Sequence, residues 1–306
     1  MSKLLTYGLG LGVVVAGLAA FGAAQYWPGP VSTLGGVFHL IPEKPAVSAE
    51  ELARIAPHTA LYRIEMVQKR GGSQVLNISG DMFFEWKPGC EAWTTDHRFN
   101  LNYEYPDSPP MRITSDFTTY ERFDGKSFDF NSRRRRDGEM YEQLRGRATL
   151  DKEGGEAVFT MPAELQFDLK QGAYFPMGHT MAVLRAAKEG RKFFDATIFD
   201  GSDTEGPVEV NAFIGKVAEA GSPAAASPAI DQELLASPAR RVRLAFFPLS
   251  RAEPDSDYEM SVVLHENGVI SDMYVEYKDF SVTQKLVGLE SVGVEGCGAE
   301  DAGRKR

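Results

Sequence analysis

The chain has 306 residues, 43% hydrophobic and 25% charged, and 43 Asp and Glu outnumber 33 Lys and Arg to give a net charge of −10. That balance argues against nucleic acid, or a broadly anionic surface, as the main partner. The length and apolar content suffice for a substantial core in one or two domains.

Lys3 precedes an uncharged apolar run from Leu4 to Ala24. A basic residue, an apolar stretch and small residues at Gly22 and Ala24 match a secretory signal cleaved after Ala24. At roughly 20 residues the run is also long enough to span a bilayer. An uncleaved N-terminal membrane anchor is therefore the alternative, although Gly8, Gly10, Gly12, Gly17 and Gly22 weaken it as a permanent helix. Both readings place the rest of the chain outside the cytoplasm, where disulfides persist. The chain has 2 cysteines, Cys90 and Cys297. They allow one intramolecular bridge or two unrelated buried thiols. Neither stands in a Cys-x-x-Cys motif.

Residues 25–56 read as an extended lead-in ending in a short helix. Ser48 with Glu51 forms a capping box that starts this helix, which runs to about Ala56. Residues 57–298 then read as a single β-rich domain. In 60–68 Tyr62, Ile64 and Met66 share one face. In 80–86 Met82, Phe84 and Trp86 do so. Over 93–105 Trp93, Thr95, His97, Phe99, Leu101, Tyr103 and Tyr105 take the odd places, and Asp96, Arg98, Asn100, Asn102 and Glu104 take even ones. Period two over that length means a long strand with one wet face. The segment 111–123 continues the pattern, and Asp124-Gly125 signals a hairpin into Phe128 and Phe130. Further strands are expected at 140–150, 156–161, 163–170, 193–200, 207–215, 240–247, 258–266, 269–277 and 279–290. Asn267-Gly268 is a second hairpin signal. This is an all-β, curled antiparallel meander, because so many strands need closure or curling to hide their edges.

One internal helix is expected at 181–188, capped by Thr180 and ended by Gly190. Residues 218–239, with Pro223, Pro228 and Pro238, read as a flexible Ala/Pro-rich insertion with one helical turn near Gln232–Leu235. Residues 299–306 read as a disordered tail.

No residue cluster reaches a catalytic signature. His39, His58, His97, His179 and His265 are scattered, and no two share a metal-ligand spacing. There is no Gly-x-Ser-x-Gly elbow and no His-Glu-x-x-His. Asp200-Gly201-Ser202-Asp203 resembles part of a calcium loop but lacks the alternating ligands and the distal Glu, so a turn is the better reading. The expectation is therefore a non-enzyme with no metal and no cofactor. A hydrolase with an unrecognised carboxylate pair is the alternative.

Two features are candidates for binding. Arg133, Arg134, Arg135 and Arg136 could grip an anionic partner, against the plainer reading of a solvated hairpin end balanced by Asp137 and Glu139. In a strand at most two of them would serve one face. The aromatics of the first half could line a cavity in a strongly curled sheet, with Trp93, His97, Phe99, Tyr103 and Phe117 as lining residues. The plainer reading is that they fill the core.

Several segments together resemble one family. They are Ser79-Gly80-Asp81-Met82 through Pro88-Gly89-Cys90 to Trp93, Phe123-Asp124-Gly125, Phe175-Pro176-Met177-Gly178-His179, and Phe199-Asp200-Gly201-Ser202. The C-terminal Asp257-Tyr258-Glu259, Glu266-Asn267-Gly268-Val269, Tyr277-Lys278-Asp279-Phe280 and Cys297 complete the set. From about Pro57 to Cys297 the chain resembles the EipB-like proteins, a periplasmic cell-envelope integrity family of alphaproteobacteria. The resemblance implies a periplasmic β-spiral of about fourteen strands, closed by a disulfide that would here join Cys90 and Cys297. It implies a role in envelope integrity and supplies no catalytic residues. The 218–239 insertion is longer than the family pattern. The partner is expected to be an envelope component: a lipid, a lipoprotein, a peptidoglycan fragment or another periplasmic protein. Scaffolding through exposed edges or loops is the alternative.

Overall fold

A computed structural model describes residues 47–218, 227–249 and 255–293. The apolar run Leu4–Ala24, Cys297 and the tail lie outside the described residues. A short helix, α1 (Ala49–Arg54), opens the fold. Eight strands follow: β1 (His58–Lys69), β2 (Asn77–Pro88), β3 (Ala92–Glu104), β4 (Met111–Arg122), β5 (Ser127–Arg136), β6 (Glu139–Leu150), β7 (Gly154–Met161) and β8 (Gln166–Lys170). Helix α2 (Pro176–Lys188) leads into β9 (Phe193–Ile198), β10 (Val208–Val217), β11 (Ala239–Pro248), β12 (Tyr258–His265), β13 (Ile270–Tyr277) and β14 (Phe280–Ser291). All fourteen strands form one sheet in the order β8-β7-β6-β5-β4-β3-β2-β1-β14-β13-β12-β11-β10-β9. Two meanders are thus joined where β1 pairs antiparallel with β14, from His58 opposite Ser291 to Lys69 opposite Phe280.

The alternation read from sequence is the alternation of burial. In β3 Trp93, Thr95, His97, Phe99, Leu101 and Tyr103 are buried, while Arg98, Asn100 and Asn102 are exposed. The hairpin signal at Asn267-Gly268 becomes the β12–β13 turn. Gly268 has φ +87° there, and a Cβ would lie 2.4 Å from the Trp86 ring, so both conformation and space require glycine.

The sheet curls until its two end strands face one seam, where two devices close it. Tyr174 N–H donates to Thr197 O at 2.8 Å and Phe199 N–H to Tyr174 O at 3.0 Å, so a short parallel bridge laps onto β9. Beneath it, aromatic rings from β5 and β7 meet Phe175 and Phe199. Phe128 stacks on Phe175 at 5.1 Å, and Phe130 packs edge-on to Phe199 at 5.6 Å.

Helix α2 starts earlier than the sequence suggested. Thr180 is not its cap: its hydroxyl donates to Pro176 O inside the helix. Pro176 takes the first helical position, where a missing N–H costs nothing. The cap comes from a remote strand. Glu121 on β4 is buried, and its two carboxylate oxygens accept from Met177 N–H and Gly178 N–H, each at 2.7 Å. Near the other end, Arg185 forms a two-pronged ion pair with Glu51 of α1 at 2.8 and 3.0 Å. The arginine bond holds the Glu51 carboxyl down at about 2. The Ser48–Glu51 capping box is present as expected.

The second half of the insertion is packed rather than loose. Ile230 is buried in the main core, Asp231 N–H donates to Leu289 O, and Leu289 N–H donates to Ala229 O. One apolar residue flanked by two backbone bonds outweighs the loop-forming composition around it. The helical turn at Gln232–Leu235 is present.

Glu121→Ala would leave two N–H groups at a covered helix end without a partner, at a cost of about 2–4 kcal/mol. The urea midpoint should fall accordingly, and amide exchange at Met177 and Gly178 should accelerate. Glu121→Gln, which keeps one acceptor oxygen, should lose less. A Glu121→Ala protein as stable as the parent would remove this carboxylate from the account of α2.

Candidate functional site

Under the middle of α2 the core does not close. A cavity of about 40 Å³ lies between the helix and the strands that face it. The helix contributes Pro176, His179, Thr180 and Val183, a spacing that puts them on one face. Alternate residues Val242, Leu244 and Phe246 of β11 face Met260, Val262 and Leu264 of β12, and the register sets Val242 opposite Val262 and Leu244 opposite Met260. Ile198 and Ile270 complete the walls. Thr180 and Leu244 are half-buried and mark the mouth, whereas His179 is buried.

His179 is the one ring with ionisable nitrogens in this apolar wall. Its Nε2 is buried with no hydrogen-bond partner. The Tyr174 and Phe194 rings lie at 6.5 and 5.7 Å. Burial lowers the imidazole to about 4, so it is neutral at ordinary pH and offers one N–H and one lone pair.

A second, larger cleft of about 530 Å³ separates α1 from α2 and is rimmed by Glu50, Glu51, Arg54, Arg185 and Lys188. Its charges are largely spent on each other: Glu51 pairs with Arg185, and Glu50 with Arg54. Lys188 and Glu266 also line it, so charge of both signs remains at its rim.

The residues expected to line a cavity are packed core instead. Trp93 is wedged between Trp86 (5.4 Å) and Phe123 (4.9 Å). His97 lies between Phe84 (4.7 Å) and Phe117 (6.0 Å). Phe99 is buried in the same cluster, and Tyr103 stacks on Tyr105. None of Trp93, His97, Phe99, Tyr103 and Phe117 lines either cavity. The reason is bulk: large rings on neighbouring strands interdigitate and fill the first half, whereas branched aliphatics opposite a helix leave space in the second.

The four arginines do not make one patch either. Arg133 is exposed, Arg135 reaches Asp116 at 3.3 Å, and Arg136 lies over the Tyr141 ring at 5.1 Å. Arg134 is buried, pairs with Glu142, and donates from Nη2 to Ser202 O at 2.7 Å. The strand's alternation separates them, and three of the four already have partners inside the fold.

Arg134 leads to a site that sequence reasoning undervalued. The Asp200–Asp203 segment is a turn, but a buried one. Asp200 Oδ1 accepts from Ser202 N–H at 2.8 Å, and Asp203 Oδ1 from Glu205 N–H at 2.7 Å. Gly201, at φ +66°, lies so close to Phe130 that a Cβ would stand 2.4 Å from the ring. Burial first, and then the charge of Asp203, raise the Asp200 carboxyl to about 8. Two interior acids therefore exist: one oxygen of each accepts from a turn amide, Asp200 Oδ2 is buried without a partner, and neither residue borders the two cavities. Among the described residues no group of three or more His, Cys, Asp or Glu is placed to hold a metal ion. None of the helices described is long and apolar enough to cross a membrane.

Comparison with known proteins gives a consistent result. The EipB-like family profile matches residues 49–293. A curated relative, the cell envelope integrity protein EipB of Brucella abortus (strain 2308), is 30% identical over 253 residues, covering 80% of this chain and 87% of the relative. Among solved structures, a beta-barrel-like protein of the domain of unknown function DUF1849 from Brucella abortus is similar with a TM-score of 0.73 and 27% identity, over 78% of this chain and 99% of that one. The matched span runs from α1 through β14, so both helices and the whole meander belong to the shared unit.

The buried ionisable groups predict a stability maximum near neutral pH. Burial lowers His97 to about 3 and His179 to about 4, against an ordinary 6.5. Their contribution is present above about pH 6.5 and is lost as pH falls toward those values. Asp200 acts in the opposite sense, since its folded value is raised from 3.8 to about 8. Its contribution is complete below 3.8 and is lost as pH rises through about 8. Each group changes stability by about 1.4 kcal/mol per pH unit within its window. Two histidines outweigh one aspartate at acid pH, and only the aspartate acts between pH 6.5 and 8. Urea midpoints should therefore decline from about pH 6.5 to about pH 8, and Asp200→Asn should flatten that decline. A parent protein already flat over this range would mean that Asp200 is ionised.

Proposed function

The chain belongs to the EipB-like family, and from that premise we propose that it supports the cell envelope without catalysis, by holding an envelope component in the cavity beneath α2. The observation that carries the reading is that cavity: an apolar space inside a curled sheet, between helix α2 and strands β11 and β12. The curated relative is described as a cell envelope integrity protein. The two interior acids border neither cavity, which favours binding over hydrolysis there.

The compartment is the periplasm, reached through the signal at Lys3–Ala24. There Cys90 and Cys297 would form a disulfide. Strand register supports the pairing: Trp86, four residues before Cys90, and Ser291, six before Cys297, both stand opposite His58. Exported protein should take up no thiol reagent until reduced and denatured. Labelling of unreduced protein would mean that the bridge is not formed.

A second reading rests on a different surface. Phe193 on the end strand β9 is 69% exposed and packs against exposed Phe213 at 5.1 Å. An apolar pair beside a sheet edge suits scaffolding through that edge. Complementation separates the two readings. Cells lacking the protein should become sensitive to detergent. The parent and Phe193→Asp should restore resistance, while Val262→Trp, which fills the cavity, should not. Full rescue by a folded Val262→Trp together with failure of Phe193→Asp would favour the edge.

A further inference from the structure

We propose that the cleft between α1 and α2 binds a short zwitterionic peptide, its ammonium on Glu266, its carboxylate on Lys188 and an apolar side chain on the cleft floor. The site is separate from the cavity beneath α2 and does not rest on the reading above. The two occupy different faces of one helix. Pro176, His179, Thr180 and Val183 line the small cavity. Met181, Leu184, Arg185 and Lys188 line the cleft, and their spacing puts them together on another face.

Volume and lining set the class of ligand. The cleft holds about 530 Å³, within the range of roughly 300–1,000 Å³ usual for small-molecule sites. Its floor is apolar, since Ile55 and Met181 are buried and Leu184 is half-buried. Its rim carries charges of both signs, and most are matched. Glu51 takes both prongs of Arg185, Glu50 pairs with Arg54, and Glu189 pairs with Arg191 at 3.0 Å. Lys188 and Glu266 are different. Both are exposed, and among the described residues neither charged end has a partner.

The two unmatched charges stand on different elements. Lys188 ends α2, whereas Glu266 lies in the β12–β13 turn. That turn is fastened to the chain leaving α1, because Ala56 N–H donates to Asn267 O at 3.0 Å. The Glu51–Arg185 bond joins α1 to α2 in turn. The anion and the cation are therefore held in place before any ligand arrives, which lowers the cost of binding.

This combination argues against the other classes of small ligand. A phosphate or polyanion would meet the carboxylates of Glu50, Glu189 and Glu266. A fatty chain would strip water from both free charges and give them no partner. A neutral sugar would gain nothing from either charge and would set hydroxyls against the apolar floor. A peptide of about two or three residues with free ends carries an ammonium, a carboxylate and an apolar side chain in one molecule of suitable size.

The test is calorimetric titration of the full-length protein with Ala-Leu-Ala at low ionic strength. N-acetylated, C-amidated and doubly blocked forms make parallel arms. The free peptide should bind saturably, and each single block should weaken it about tenfold, as loss of a charge-assisted bond does. The acetyl penalty should vanish in Glu266→Gln and the amide penalty in Lys188→Met, while the crossed combinations keep theirs. Both side chains are exposed, so neither variant disturbs the core. Leu184→Ala, which shortens the floor, should weaken every form alike. Ala-Leu-D-Ala separates the sources: preference for the D end points to cell-wall peptides and preference for the L end to protein fragments, and either supports the site. No saturation by the free peptide at millimolar concentration would overturn the proposal. So would equal affinity for free and doubly blocked peptide, or blocking penalties that persist in the matching variants. Saturable binding of dodecanoate or N-acetylglucosamine in place of the peptide would overturn it too. Complementation by Val262→Trp reads the other cavity, so the two readings fail separately.

Discussion

The pairing of β1 with β14 is the contact on which this structure depends. Each meander is built from local hairpins and needs little long-range information. Either alone would expose a long unpaired edge twelve residues in length, β1 or β14, which is a template for aggregation. Their union converts two ribbons into one sheet long enough to curl. Curling in turn brings the far ends together, so that Tyr174 can lap onto β9 and the rings of Phe128 and Phe130 can meet Phe175 and Phe199. The pairing joins the first and last strands, so the longest loop closure of the sheet is made along a twelve-residue edge.

Several interior polar groups bond across this closure. Glu121 reaches from β4 to the amides of α2, Arg134 from β5 to the carbonyl of Ser202, and Asp200 folds onto its own turn. Glu121 and Arg134 join a strand of the first meander to a segment at or beyond the seam. Removing one partner of a buried pair costs far more than the pair itself contributes. Such groups therefore act as registry pins: a slipped seam would take the α2 amides from Glu121 and the Ser202 carbonyl from Arg134.

Much of this fold is legible in the sequence, because period-two alternation survives wherever one face is buried. The strand at 93–105, the turn signals at Asp124-Gly125 and Asn267-Gly268, and the capping box at Ser48 all stand where the residues put them. The errors share a cause. Thr180 looks like a helix cap because local sequence cannot show that Glu121, 56 residues before Met177, supplies one. Residues 227–236 look loose because composition outweighs the single anchor Ile230. Whether the four arginines make a patch or a balanced strand end stays open in the sequence, because pairing in space is invisible along the chain. The candidate site was the least legible. Aromatic richness in the first half allows either a lined cavity or a filled core, and the rings interdigitate as a filled core. The signal that could have found the true cavity is weaker: alternating aliphatics at 242–246 and 260–264 with a helix carrying a lone histidine.

That contrast explains why a void lies where it does. Sheet against sheet, large rings from facing strands fill the space between them, as Phe128, Phe130, Phe159 and Phe199 do. A helix laid on a curved sheet touches it along a line and diverges on either side. Filling the divergence needs long side chains at the margins. Helix α2 carries Thr180 and Val183 there instead, and β11 and β12 answer with Val242 and Val262. Each of these could be a larger residue without violating the alternation or the helical face. A close-packed core of the kind seen in the other half is thus within reach of this fold. Leaving such a gap forfeits dispersion contacts, a cost that a purely architectural core would shed by substituting one or two side chains. A gap kept between these branched aliphatics therefore costs the fold stability that a larger side chain at Val242 or Val262 would return.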